Sequence, residues 1–210
     1  MPKFPEPPPR GQLAARLPPA VRALSRGSTL WRIYYRGGTH PVAWNRFRRW
    51  GPAPNLRFDH HSPPPRLQTR AVMYGAVLAP TCFAEVFQHT RTIERSRSQP
   101  WLVGFRLTRD VRLLDLTGNW PTRAGASMAL ATGRRDRARR WSSRIYEDYS
   151  AIEGLWYGSS MDANRPAVVL YERAQSALPS RPALHRAIAD PALDPLVAAA
   201  ALRFNYLVVP

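Results

Sequence analysis

Short β-favouring runs, broken by proline and glycine, constrain this chain more than any other feature. Residues 28–35 (STLWRIYY), 71–77 (AVMYGAV), 101–107, 111–116, 154–159, 167–172 and 204–209 each read as a strand. Helical spacing is rarer. Over 81–90, Phe83, Val86 and Phe87 fall at i, i+3 and i+4, and Glu85 lies off that stripe. Over 134–149, Ala138, Trp141, Ile145 and Tyr149 share one side and the arginines mostly the other. Two short helices are expected near 182–189 and 194–202. Strands and helices do not alternate as βαβ units, which predicts an α+β fold rather than a doubly wound sheet.

Seven of the 22 prolines fall in the first twenty residues, and proline neither sustains a helix interior nor donates to a sheet. Residues 1–27 therefore read as an extended arm, and 28–210 as a single domain. A hydrophobic fraction of 44% over 210 residues is enough for one core. Residues 36–70 lack periodicity and read as a long basic loop, of the kind that is functional or disordered.

The net charge of +17 attracts anions of every kind: nucleic acid, lipid headgroups, nucleotides or an acidic partner. It also fits an arginine-rich surface that is simply solvated, so charge alone does not select a function. The single cysteine, Cys82, excludes an internal disulfide framework and reads as a buried residue. With no secretory h-region and no run long enough for a bilayer, the expected location is the cytoplasm.

Several common chemistries are missing. No GxGxxG follows a strand, and there is no Walker loop, HExxH or zinc-deaminase pattern. His60 and His61 are adjacent, and neighbours rarely converge on one metal; no metal site is expected. Gly158-Ser159-Ser160 is not a nucleophile elbow.

What remains is an ordered set: Trp31-Arg32-Ile33, Arg57-Phe58-Asp59, Tyr74-x-Ala76, Ala84-Glu85-Val86 and Gly154-x-x-Tyr157-x-Ser159. In order and spacing it resembles the RES domain, the toxin half of RES–Xre toxin–antitoxin pairs. His40-Pro41 followed by Asn45 looks like the segment that precedes the second arginine in one branch of that family. The resemblance spans about residues 28–173. Leu56, His60 and Glu153 depart from its usual glycine, proline and aspartate, which bears on loop geometry. Ser160 competes with Ser159 for the serine position.

The resemblance implies a split β-sheet core like that of ADP-ribosyltransferases, with NAD as a substrate to be degraded and no separate cofactor. It also implies an Xre-type helix-turn-helix antitoxin, a homodimer within the toxin–antitoxin complex, and arrest of bacterial growth. The residue types suit that chemistry. Breaking the nicotinamide–ribose bond builds positive charge on the sugar, as glycoside cleavage does, and Glu85 is the carboxylate to stabilise it. Guanidinium groups bind diphosphates in bidentate fashion, a role for Arg32 and Arg57. Tyr74 would stack on the nicotinamide or bond the ribose, and Ser159 would hold a ribose hydroxyl or the carboxamide. The catalytic set is thus Glu85, Arg32 and Ser159, with Arg57 and Tyr74 binding NAD. Taken singly, each residue reads as ordinary: Glu85 a solvated helix residue, Tyr74 a core aromatic, Arg32 a strand-surface arginine, Ser159 a turn residue.

The basic segment 134–144 is one place for an acidic antitoxin surface to dock. The alternative function is a nucleic-acid-binding protein using the charge with Trp44, Phe47 and Trp50, without NAD turnover.

Overall fold

The computed structural model describes residues 4–210. A short helix, α1 (Gln12–Arg16), and a strand, β1 (Val21–Leu24), lead into β2 (Thr29–Tyr35), β3 (Arg48–Gly51) and β4 (Arg66–Ala76). Then come α2 (Ala79–Phe87), β5 (Thr92–Glu94), β6 (Pro100–Arg106) and β7 (Val111–Asp115). Two single-turn helices, α3 (Trp120–Arg123) and α4 (Ala129–Thr132), precede the long α5 (Arg135–Asp148). The chain continues through β8 (Gly154–Gly158), β9 (Pro166–Tyr171), β10 (Leu184–Ala187), α6 (Asp194–Phe204) and β11 (Leu207–Val209). The architecture is α+β, as the pattern of runs predicts.

Among the described residues, nine strands join in the order β1-β7-β8-β9-β4-β2-β6-β10, with β3 added to β4. The sheet is nearly two sheets. β1, β7, β8, β9 and β4 make one half, and β2, β6 and β10 the other; the halves meet through one pair, Trp31 opposite Ala76. That meeting needs glycine at position 75, because a Cβ there would come within 2.9 Å of the Trp31 carbonyl oxygen. β6 and β7 are consecutive but lie in different halves, so the turn between them carries the chain across the split.

One apolar cluster is shared, joining Leu30, Val103 and Phe105 of the second half to Met73, Leu113 and Leu170 of the first, and each half adds packing against a helix of its own. α5 buries Ala138, Trp141 and Ile145 against Leu114, Leu155 and Val169 of the first half. α2 packs Cys82, Phe83 and Phe87 against Ile33 and Leu102 of the second half and Val197 of α6. Phe83 is fully buried, and truncating such a side chain costs about 3–5 kcal/mol. Both helices are therefore fixed to the sheet, one on each side of the split.

Three local expectations are corrected. The amino-terminal segment is not a free extended arm: Gly11 to Leu17 is free of proline and contains helix-forming alanines, and α1 forms there. Leu13, Leu17 and Phe4 enter the core beside Trp141, the Gly11 and Leu13 amides donate to Asp148, and β1 pairs with β7. The first three residues of the expected arm lie outside the described residues. The helix expected near 182–189 is instead β10, which covers the edge of β6 that would otherwise be unpaired. The basic loop at 36–70 contains β3 and the first residues of β4, an 11-residue strand whose early, exposed part lacks an apolar alternation.

Candidate active site

Glu85 lies in α2 opposite the buried stripe, facing the split. The Ser159 hydroxyl donates to its carboxylate at 2.5 Å. Ser159 follows β8, in a turn closed by its own amide on the Arg165 carbonyl and by the Asn164 amide on the Ser159 carbonyl. Asp162 fastens this turn to α2 by accepting from the Thr81 hydroxyl at 2.7 Å, and to α6 by accepting from Arg203 at 2.5 Å. The turn carrying the serine and the helix carrying the glutamate are thus tied together. Ser160 lies on the cavity wall without touching Glu85 through a hydrogen bond.

Arg57 projects from the stretch between β3 and β4. This stretch is ordered by a buried carboxylate: Asp59 accepts from the Ala53 amide at 2.6 Å, from Arg48 at 2.7 Å and from His61. Burial alone would raise the Asp59 carboxyl, but the His61 contact, the Arg48 charge and the amide hold it at about 2. The Phe58 amide donates to the Tyr74 hydroxyl at 3.0 Å, and the Phe58 carbonyl accepts from Ser142 of α5 at 2.9 Å. Arg57 itself donates to the Gly133 carbonyl at 2.5 Å.

These pieces enclose a cavity of about 340 Å³ whose walls include Arg57, Tyr74, Glu85, Arg135, Tyr157 and Ser160. A smaller recess of about 70 Å³ adjoins it through Tyr74, Glu85 and Tyr157, and Arg32 and Cys82 line its inner end. The other four expected residues therefore gather around Glu85, but not in one layer. Ser159 is fully buried and lines neither space, so in place of the expected contact with a ribose hydroxyl or carboxamide its hydroxyl is engaged by Glu85. Arg32 lies in the recess, where its Nη1 donates to the Trp44 and Arg46 carbonyls at 2.8 and 3.0 Å. Burial lowers its guanidinium to about 10, so it stays charged at neutral pH.

Burial also raises the Glu85 carboxyl above the ordinary glutamate value, against the opposing pull of the Ser159 hydroxyl, Arg57 and Arg135. Burial likewise raises the Tyr74 and Tyr157 phenols, which stay protonated and available as donors. Burial pushes the Cys82 thiol up, in keeping with a packing role. Among the described residues, no cluster of histidine, cysteine, aspartate and glutamate is arranged to hold a metal ion. No described helix is long and apolar enough to cross a membrane.

Two wall residues were not singled out as site residues from sequence. Tyr157 stands two positions before Ser159 within the same motif. Arg135 was masked by the arginines around it in α5.

A cleft at the junction of a split sheet, with a carboxylate held by a serine and guanidiniums on the same wall, can take an anionic ligand. The RES domain family model matches residues 29–194, and the chain belongs to that family. Among solved structures, it is similar to a chain of the M. tuberculosis MbcT-MbcA toxin-antitoxin complex. The TM-score is 0.51 at 16% identity, covering 83% of this chain and 88% of that one, which is a likeness of fold. No curated protein matches the chain.

Proposed function

We propose that this chain is the toxin of a toxin–antitoxin pair and acts by cleaving the nicotinamide–ribose bond of NAD. The observation that carries the reading is Glu85, held from behind by the buried Ser159, on the wall of a cavity that also holds Arg57 and Tyr74. Membership of the RES family, and a fold shared with a chain of a toxin–antitoxin complex, support the toxin assignment.

Cleavage leaves positive charge on the ribose as nicotinamide departs. An ionised Glu85 beside the sugar stabilises that charge in a site where burial weakens solvent screening. The Ser159 hydroxyl fixes one carboxylate oxygen and leaves the other for the substrate. Tyr74 already accepts the Phe58 amide, so its own O–H remains to donate to the ribose, while its ring offers a stacking face. Arg57 binds the diphosphate, and Arg32 adds positive charge behind Glu85. NAD is then consumed as a substrate rather than held as a cofactor. An Xre-type helix-turn-helix antitoxin is the partner that restrains growth arrest, and the toxin works in the cytoplasm as a homodimer within that complex.

Nicotinamide release from NAD by the purified, antitoxin-free chain tests the reading. Glu85→Ala should abolish it. Absence of release by the wild-type chain, or unchanged release by the variant, would overturn it. Running the assay with and without inorganic phosphate, with the product identified by mass, distinguishes water, phosphate and protein as the acceptor of ADP-ribose.

A further inference from the structure

α5 carries six arginines at or near its start and along its length, and five of them are engaged within the chain. Arg134 pairs with Asp136, Arg137 with Glu6, Arg140 with Glu6 and Asp136, and Arg144 with Glu147. Arg139 donates to the Pro54 and Leu56 carbonyls at 2.7 and 3.1 Å. Arg135 differs from all of these. Among the described residues its guanidinium has no hydrogen bond or ion pair, and it lines the cavity that holds Glu85. It is also close enough to Arg57 and Glu85 to influence the protonation of both.

The arrangement leaves a position to fill. The sequence pattern assigns the diphosphate to Arg32 and Arg57. Arg32 lies instead in the inner recess, with its Nη1 on two backbone carbonyls, and does not line the main cavity. Two guanidiniums, Arg57 from the stretch after β3 and Arg135 from the first residue of α5, line the main cavity. Arg57 donates to the Gly133 carbonyl, two residues before Arg135, so the two like charges share one part of the wall and repel each other. A diphosphate carries negative charge on each of its two phosphoryl groups, and an anion between the arginines turns that repulsion into attraction.

We infer that Arg135 is the second arm of the diphosphate clamp, acting beside Arg57 and holding the substrate's pyrophosphate bridge while Glu85 faces the ribose. This rests on the NAD reading for the identity of the substrate, but the anion site itself does not depend on turnover. Arg135 is a substrate-binding residue whose contribution falls on the phosphates rather than on the bond that breaks.

The test uses the full chain and three variants: Arg135→Gln, Arg135→Lys, and Arg134→Gln as a neighbouring change of the same charge. Calorimetry with inorganic pyrophosphate should show binding that Arg135→Gln weakens about tenfold, as expected for a lost charge-assisted contact. Arg135→Lys should recover part of it, and Arg134→Gln should match wild type. With NAD, Arg135→Gln should raise KM by a similar factor and leave kcat within about twofold, the pattern of lost uniform binding. With nicotinamide riboside, which has no phosphate, wild type and Arg135→Gln should be equal. Pyrophosphate binding that is undetectable in wild type, unchanged by Arg135→Gln, or weakened equally by Arg134→Gln overturns the inference. If wild type releases no nicotinamide while pyrophosphate binding still depends on Arg135, the anion clamp stands and the NAD reading falls.

Discussion

Two carboxylates lie close to the cavity, and their surroundings are opposite. Asp59 is fully buried and receives an amide, an arginine and a histidine. Glu85 is partly buried, receives one hydroxyl, and keeps an open side toward the cavity. The first is held well below the usual carboxylate range and the second is raised above it. A buried carboxylate with both oxygens engaged by donors is a pin for the loop around it. One left partly unmet in a desolvated cleft has its charge available to a substrate.

The same conservative change at the two positions should separate them. Glu85→Gln is expected to lower kcat for nicotinamide release by about a thousandfold, the scale of removing a focused transition-state charge, with little change in melting temperature. Asp59→Asn should do the reverse in kind. It should cost about 3 kcal/mol in urea unfolding at neutral pH, because Arg48 loses its buried partner, and activity should fall only as the Arg57 loop loosens. Because Asp59 titrates near 2 in the fold and about 3.9 unfolded, its contribution is complete above pH 4. The gap between wild type and Asp59→Asn should then close as pH falls from 4 toward 2. Comparable losses of stability and activity in both variants would erase the distinction.

A smaller effect sharpens the Glu85 side. Ser159→Ala removes the hydroxyl that favours the ionised carboxylate, so the Glu85 pKa should rise further. The acid limb of the kcat/KM profile should move to higher pH, with a loss at neutral pH of about tenfold. A limb that stays in place would mean that Ser159 does not act on Glu85.

The smallest effect concerns His60, stacked on Tyr146 and tilted against Tyr171 on the Asp59 side of the molecule. Burial lowers it to about 4, overcoming Glu172, which lies 3.5 Å away. A group lowered from about 6.5 stabilises the fold fully above that pH, and the contribution is lost as pH falls toward 4. Wild-type stability should decline between pH 7 and 5, and His60→Phe should flatten that decline while leaving the Glu85-dependent activity in place.

The charged segment 134–144 shows the same dependence on partners as these two carboxylates. In sequence it reads as a basic face open to an acidic partner. In the fold, Glu6 of the amino-terminal segment and the carbonyls of Pro54 and Leu56 already engage much of it. Composition reports how many charges a chain carries but not which of them are met, since their partners lie more than 80 residues away.

What the sequence determined by itself was local or pattern-borne. Alternation and spacing gave β2, α2, α5, β8 and β9, because those elements are specified by which side chains face a core. The ordered arginine, tyrosine, glutamate and serine positions marked residues that the fold does gather around Glu85. Long-range pairing was decided only in three dimensions. β10 exists because β6 has an edge to cover, and α1 holds because Leu13 and Leu17 find Trp141 and Tyr149. The depth of Arg32, the isolation of Arg135 and the contrast between Asp59 and Glu85 also arose there. A side chain's protonation and its freedom to bind depend on burial and partners, which residues distant in the chain supply.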